Sequence, residues 1–206
     1  MGDLATPRHR RLPPEQRRAT LVQAASELFA RRGYDRVTLE EVARGCGVTK
    51  AIVYRHFASK KELYLQLLAA HRDELLRTLA QGMAAEARLE ERVPDVADAW
   101  FAYVESHPFA WAMLFKDVTG DADISAFHAG MRETARAAIA GLLAGERDLR
   151  VSPALLEPVA EVVRSAMTGL AMWWLDHREV PRATLVGAIV QTTWYGLAQA
   201  ASGDVA

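Results

Sequence analysis

Twice between residues 38 and 62 the chain places a hydroxyl residue three positions ahead of a glutamate: Thr38-Leu39-Glu40-Glu41 and Ser59-Lys60-Lys61-Glu62. In this arrangement the hydroxyl oxygen accepts from a backbone N–H of the first turn while the glutamate reaches back to the cap, so each instance marks a helix start. Between the two starts there is room for one short helix, a turn at Gly47 and a second short helix capped by Thr49. Upstream, residues 15–32 set Leu21, Ala25, Leu28 and Phe29 on one helical stripe that closes at Gly33, a residue that tolerates positive φ. From Ser59 a longer helix runs through Leu63, Leu67 and Ala70.

The rest of the chain reads as helix too. Ala, Leu, Glu and Arg abound, and no extended Val/Ile/Thr alternation appears. Helices are expected over 96–106, 108–115, 124–143, from Pro153 or Pro158 to 176, and over 181–201, with an acidic loop at 117–123. The fold class is therefore all-α: an N-terminal helix-turn-helix three-helix domain, then a C-terminal helical bundle. The expected divisions are a flexible basic arm at 1–14, a helix-turn-helix domain at 15–62 and a helical domain at 63–206. The apolar runs fall short of the roughly 18 residues a membrane span needs, and the Arg-bearing N-terminus is followed by no apolar signal segment. A cytoplasmic protein with no membrane partner is expected. The single cysteine, Cys46, excludes an internal disulfide framework and reads as a small buried residue.

A net charge of −1 conceals an asymmetry. Residues 1–70 carry thirteen Lys/Arg against seven Asp/Glu, whereas residues 71–206 carry twelve against nineteen. Three of only four lysines, Lys50, Lys60 and Lys61, fall within twelve residues. A basic N-terminal unit fits a polyanion, and the acidic remainder does not.

The segment from Leu39 to Phe57 meets the requirements of a helix-turn-helix, whose second helix enters the major groove. Ala43 is small where the helices cross, Gly47 permits the turn, and Val42, Val48, Val53 and Phe57 are apolar where the unit packs on the first helix. Lys50, Ala51, Tyr54 and Arg55 then point outward. The motifs Ala24-Ala25-x-x-Leu28-Phe29-x-x-x-Gly33, Thr38-x-x-x-Val42-Ala43, Gly47-Val48-Thr49-Lys50, Tyr54-x-His56-Phe57 and Ser59-Lys60-x-Glu62-Leu63 go further. From about Arg17 to Leu67, a quarter of the chain, the sequence resembles the DNA-binding domain of TetR/AcrR-family regulators.

That resemblance implies roles. Tyr54 and His56 occupy positions that commonly contact the phosphate backbone, as does Lys60 near a helix N-terminus that already favours an anion. Thr38 is a further candidate for a phosphate, through its hydroxyl or amide. Thr49 belongs to the same face, and Lys50, Ala51 and Arg55 sit where base edges are read. Ala51-Ile52 replaces the commoner Gly-Thr, and Gly45 weakens its helix by about 1 kcal/mol relative to alanine. The implied partners are double-stranded DNA with a near-palindromic operator, a small-molecule effector and a second copy of the chain.

No Ser-His-Asp set, phosphate loop or zinc motif is present, so neither an enzyme nor a catalytic, metal or cofactor site is expected. His56 fits a phosphate contact better than a metal ligand. Aromatic and sulfur-bearing residues gather after residue 99, and an effector pocket among bundle helices would draw on Trp100, Tyr103, Phe109, Met113, Phe115 and Trp173. The last two helices carry the stripes Val162, Ala166, Gly169, Leu170, Trp173 and Leu185, Ile189, Thr192, Thr193, Gly196, which suit a four-helix dimer interface or an internal hairpin. The expected function is that of a sequence-specific DNA-binding regulator of transcription, a repressor released by a small apolar or amphipathic effector. The competing reading is a helical ligand-binding or scaffolding protein with an incidental basic face.

Overall fold

The computed structural model describes residues 14–83, 89–116, 120–145 and 151–196. Among them are nine α-helices and no strand: α1 (Pro14–Arg32), α2 (Leu39–Gly45), α3 (Lys50–His56), α4 (Lys60–Met83), α5 (Leu89–Ser106), α6 (Pro108–Phe115), α7 (Ala122–Gly145), α8 (Pro153–Leu175) and α9 (Arg182–Ile189). Apart from Pro14, the first residue of α1, the basic arm expected at 1–14 lies outside the described residues. So do residues 117–119 of the acidic loop expected at 117–123.

α1 to α3 form a small head. Leu21, Ala25 and Phe29 of α1 are buried against Val42, Ala43, Val53 and Phe57, the pattern the sequence predicts, with Leu28 and Val48 half-buried at its margin. Gly33 ends α1 at φ 76° and Gly47 makes the turn between α2 and α3 at φ 64°, both in the left-handed region that favours glycine. Leu63, Tyr64, Leu67 and Leu68 carry the buried face of α4 out of the head and into the body. The rings of Phe29, Tyr34 and Tyr64 close the joint, with Tyr64 4.9 Å from each of the other two.

In the body α4 packs on α5, α7 on α8, and α9 on α5. Arg182 at the start of α9 reaches Asp98 at 2.9 Å and Glu105 at 2.7 Å on α5. Head and body also touch sideways, because α1 lies along α6. Two expectations are corrected here. α5 begins at Leu89 rather than near 96 and accommodates Pro94 within its length. The last helix leaves α geometry after Ile189 and passes through a π-helical turn, Val190–Trp194.

Candidate DNA-reading surface and effector core

The head presents α3 to solvent. Lys50, Ala51, Tyr54, Arg55 and His56 are all exposed while Val53 between them is buried, so one short helix offers a basic and aromatic strip on a fixed apolar base. Thr49 occupies the N-cap of α3 but its side chain makes no capping bond, which leaves the hydroxyl available on that strip. Lys50 forms an ion pair with Glu40 in the first turn of α2, and its ammonium lies 5.2 Å from the centre of the Tyr54 ring. The hydrogen bond with Glu40 pushes the Lys50 ammonium pKa up and holds the Glu40 carboxyl below its usual range.

Two of the expected phosphate contacts are otherwise engaged. Thr38 forms a complete capping box: its amide donates to Glu41 Oε2 at 2.9 Å, its hydroxyl donates to the same oxygen at 3.1 Å and accepts from the Glu41 amide at 3.3 Å. A phosphate would have to displace one of these bonds, and Arg32, 2.7 Å from Glu41 Oε1, holds the carboxylate in place. The Glu41 carboxyl is accordingly held down to about 2, chiefly by the Arg32 guanidinium. Lys60 donates to the Tyr34 carbonyl at 2.9 Å and lies 4.2 Å from the centre of the Tyr34 ring, so it pins the α1–α2 loop to α4.

The neighbouring Lys61 turns the other way. Its ammonium meets Asp123 at 2.5 Å and Asp121 at 3.7 Å, and Asp121 in turn accepts from the Asp123 and Ile124 amides that open α7. Two ties cross between head and body. Arg31 lies over the ring of Phe109 on α6 at 5.4 Å. Ser26 on α1 donates to the Val22 carbonyl at 2.8 Å and so accepts from His71 Nε2 on α4, also at 2.8 Å. Burial pushes the His71 imidazole pKa down.

The expected effector residues fall in four places. Trp100, Trp111 and Phe115 form one aromatic cluster between α5 and α6, with Trp111 4.7 Å from Trp100 and 3.9 Å from Phe115. Met113 is fully buried in the same core. Tyr103 stands nearer α4, its hydroxyl donating to the His71 carbonyl at 3.0 Å and its ring stacked on His107; burial pushes its phenol pKa up. Phe109 faces α1 under Arg31. Trp173 is 44% exposed on the outside of α8, stacked on His177, and is not brought together with the others.

Trp111 is the cluster member that sequence reasoning left out of its candidate set, although it stands four residues before Phe115 on the same face. α6 is apolar on all sides, so no periodicity singles out a face. The indole N–H groups of both Trp100 and Trp111 are buried with no acceptor among the described residues, as is the Thr168 hydroxyl on α8. Such groups are costly to leave unmade and call for a partner.

Comparison with known proteins fits this architecture. A family profile described as "Bacterial regulatory proteins, tetR family" matches residues 21–67, and one described as "Tetracyclin repressor-like, C-terminal domain" matches residues 89–196. The chain is 31% identical to the HTH-type transcriptional activator FasR of Mycolicibacterium smegmatis over 92% of its own length and 87% of that protein's. It is 32% identical to the HTH-type transcriptional repressor KstR2 of Mycobacterium tuberculosis over about half of each, 49% and 50%. Among solved structures, a TetR-like regulator from Rhodococcus sp. RHA1 superposes with a TM-score of 0.79 at 20% identity, covering 91% of this chain and 99% of that one, a likeness of fold. A tetR-family regulator from Streptomyces coelicolor gives 0.69 at 28% identity over 92% and 84%. The chain belongs to the TetR family of DNA-binding regulators of transcription, and is not an enzyme.

Proposed function

We propose that two copies of the chain read a near-palindromic operator through α3, and that a small amphipathic molecule entering the aromatic core of the body releases them. In this reading Tyr54, His56 and Thr49 position the head on phosphates, while Lys50, Ala51 and Arg55 face base edges. Lys60 holds the α1–α2 loop in register and lends its charge to the same surface. The protein works in the cytoplasm, where the DNA is, and represses wherever its operator overlaps a promoter.

The observation that carries this reading is the continuity of α4. It begins at Lys60 beside the DNA-reading strip and continues to Leu75 in the body core, so a displacement of its far half reaches the head. The core beside it is closed, with Tyr103, Trp111 and Met113 fully buried, so a ligand enters only by moving side chains that pack on α4 and α6. The unpartnered indole N–H groups of Trp100 and Trp111 favour a ligand with an apolar body and a hydrogen-bond acceptor.

The outer faces of α8 and α9 suit the second copy. Leu155, Val162 and Trp173 are exposed along α8, and Tyr195 stands exposed just past the π turn. A twofold pair of heads matches a palindromic site, since one short recognition helix spans only a few base pairs.

The test is thermodynamic. An operator is isolated by binding the pure protein to genomic fragments, and small amphipaths are screened for its release. A releasing molecule must bind less tightly in the presence of saturating operator, by the factor with which it weakens DNA binding, about 5- to 150-fold for an ordinary coupling. Equal affinity with and without operator overturns release as the mechanism. A second reading, activation, is favoured by one observation: the relative matched over 92% of this chain is named an activator. An operator upstream of a promoter with increased transcription in its presence would decide for it.

A further inference from the structure

A surface that docks on phosphates carries a carboxylate at its centre. Glu40 projects from the first turn of α2 onto Lys50, the first residue of the recognition helix, and both side chains of this ion pair are about half exposed. An exposed pair of this kind contributes little to folding. Nor is Glu40 needed for the cap, because Glu41 supplies that bond and takes Arg32 as well. Next to DNA a carboxylate repels the backbone, so its position asks for a role in recognition.

A lysine left alone is a flexible point charge with three donors that binds any phosphate it reaches. Glu40 changes that in two ways. It occupies one side of the ammonium, so the remaining N–H bonds point in a restricted direction, while the Tyr54 ring, 5.2 Å from the ammonium, lies beside the same charge. It also opposes the approach of a second anion, so Lys50 gains little from a phosphate and more from a neutral acceptor. The major-groove edge of a G·C pair offers such acceptors, guanine N7 and O6, directly beside a donor, the cytosine N4 amine. Donor beside acceptor is also what Lys50 and Glu40 present, and on an A·T pair the adenine N6 amine stands where guanine O6 would, a donor against the ammonium.

We infer that Glu40 and Lys50 act as one unit that reads a single G·C base pair in each half-site, with Glu40 the residue that makes the contact specific. The inference rests on the proposed reading that α3 enters the major groove.

The experiment selects half-sites from a duplex pool randomised across the operator, using the full-length protein as wild type, Glu40→Gln, Lys50→Met and the double variant. Wild type is expected to select G·C at one symmetric position. Glu40→Gln, nearly isosteric and exposed, should lose about tenfold of the discrimination at that position alone. Its binding to unrelated duplexes should tighten and its logarithmic salt dependence steepen by about one per protomer, as Lys50 turns to a phosphate. In Lys50→Met the same preference should already be absent, so adding Glu40→Gln changes nothing further at that position. Unchanged base preference in Glu40→Gln, with affinity altered equally for all sequences, overturns the inference and leaves the operator reading intact. A wild type that selects no sequence overturns both.

Discussion

At the scale of single residues, the most informative group is His71, a polar side chain placed where head meets body. Because burial lowers its pKa, the folded protein keeps the imidazole neutral at a pH where the unfolded chain, near the ordinary value of 6.5, takes up a proton. Stability should therefore fall as pH drops through about 6.5, by at most about 1.4 kcal/mol per pH unit, and level off below the folded pKa. Glu74 nearby works against this shift and His107 with it, so the net direction is that of burial. Urea unfolding at pH 7.5 and 5.5 is the check: wild type should lose more stability between the two than His71→Gln, and identical losses would contradict the assignment. The role of Ser26 was not legible from sequence, since a serine inside an apolar helical stripe has no local signature until a partner forty-five residues away is found.

Among the elements, the helix-turn-helix was readable nearly to the residue because its boundaries are set by short-range chemistry. A capping box at Thr38, the Ser59 cap of α4, whose Glu62 carboxylate reaches back to the Ala58 amide, and glycines at positive φ after α1 and α2 mark where these helices begin and end. Gly45 at the end of α2 and Gly47 in the turn should behave oppositely. Gly47→Ala forces a side chain into the left-handed region and should cost about 1 kcal/mol although the space around it is empty. In Gly45→Ala the new Cβ would sit 3.3 Å from a methyl of half-buried Leu28, which can shift, and the helix gains about 1 kcal/mol of propensity. Chemical denaturation of both variants distinguishes them, and equal destabilisation would mean that backbone conformation is not the cause at Gly47. The final helix was misread for a reason of geometry. A straight α register puts Leu185, Ile189, Thr192, Thr193 and Gly196 on one side, but the π turn adds a residue, so the side chain buried after Ile189 is Trp194, five positions on. Thr192 and Gly196 turn outward instead. No residue within 190–194 announces that step.

For the whole molecule, the distinction between inner and outer faces of α8 and α9 governs what substitutions do. Val162, 64% exposed, lies on the outward face, whereas Ile189 is buried within the chain's own core against α5. Val162→Glu should separate a dimer into folded monomers and abolish tight operator binding, while Ile189→Glu should unfold the protomer itself, by several kcal/mol for an unpaired buried charge. Sedimentation and circular dichroism together make the comparison; a Val162→Glu protein that remained dimeric would reject that face as the interface. Two ties join the head to its body, Ser26 to His71 and Arg31 to Phe109, and a third, Lys61 to the pair Asp121 and Asp123, anchors the start of α4 where it leaves the head. A joint fastened at three places has no free swivel, so each head takes its heading from the body beneath it. In the proposed dimer a pair of such heads would work as a calliper: the jaws rigid, the gap set at the far hinge, and only half-sites about 34 Å apart gripped by both at once.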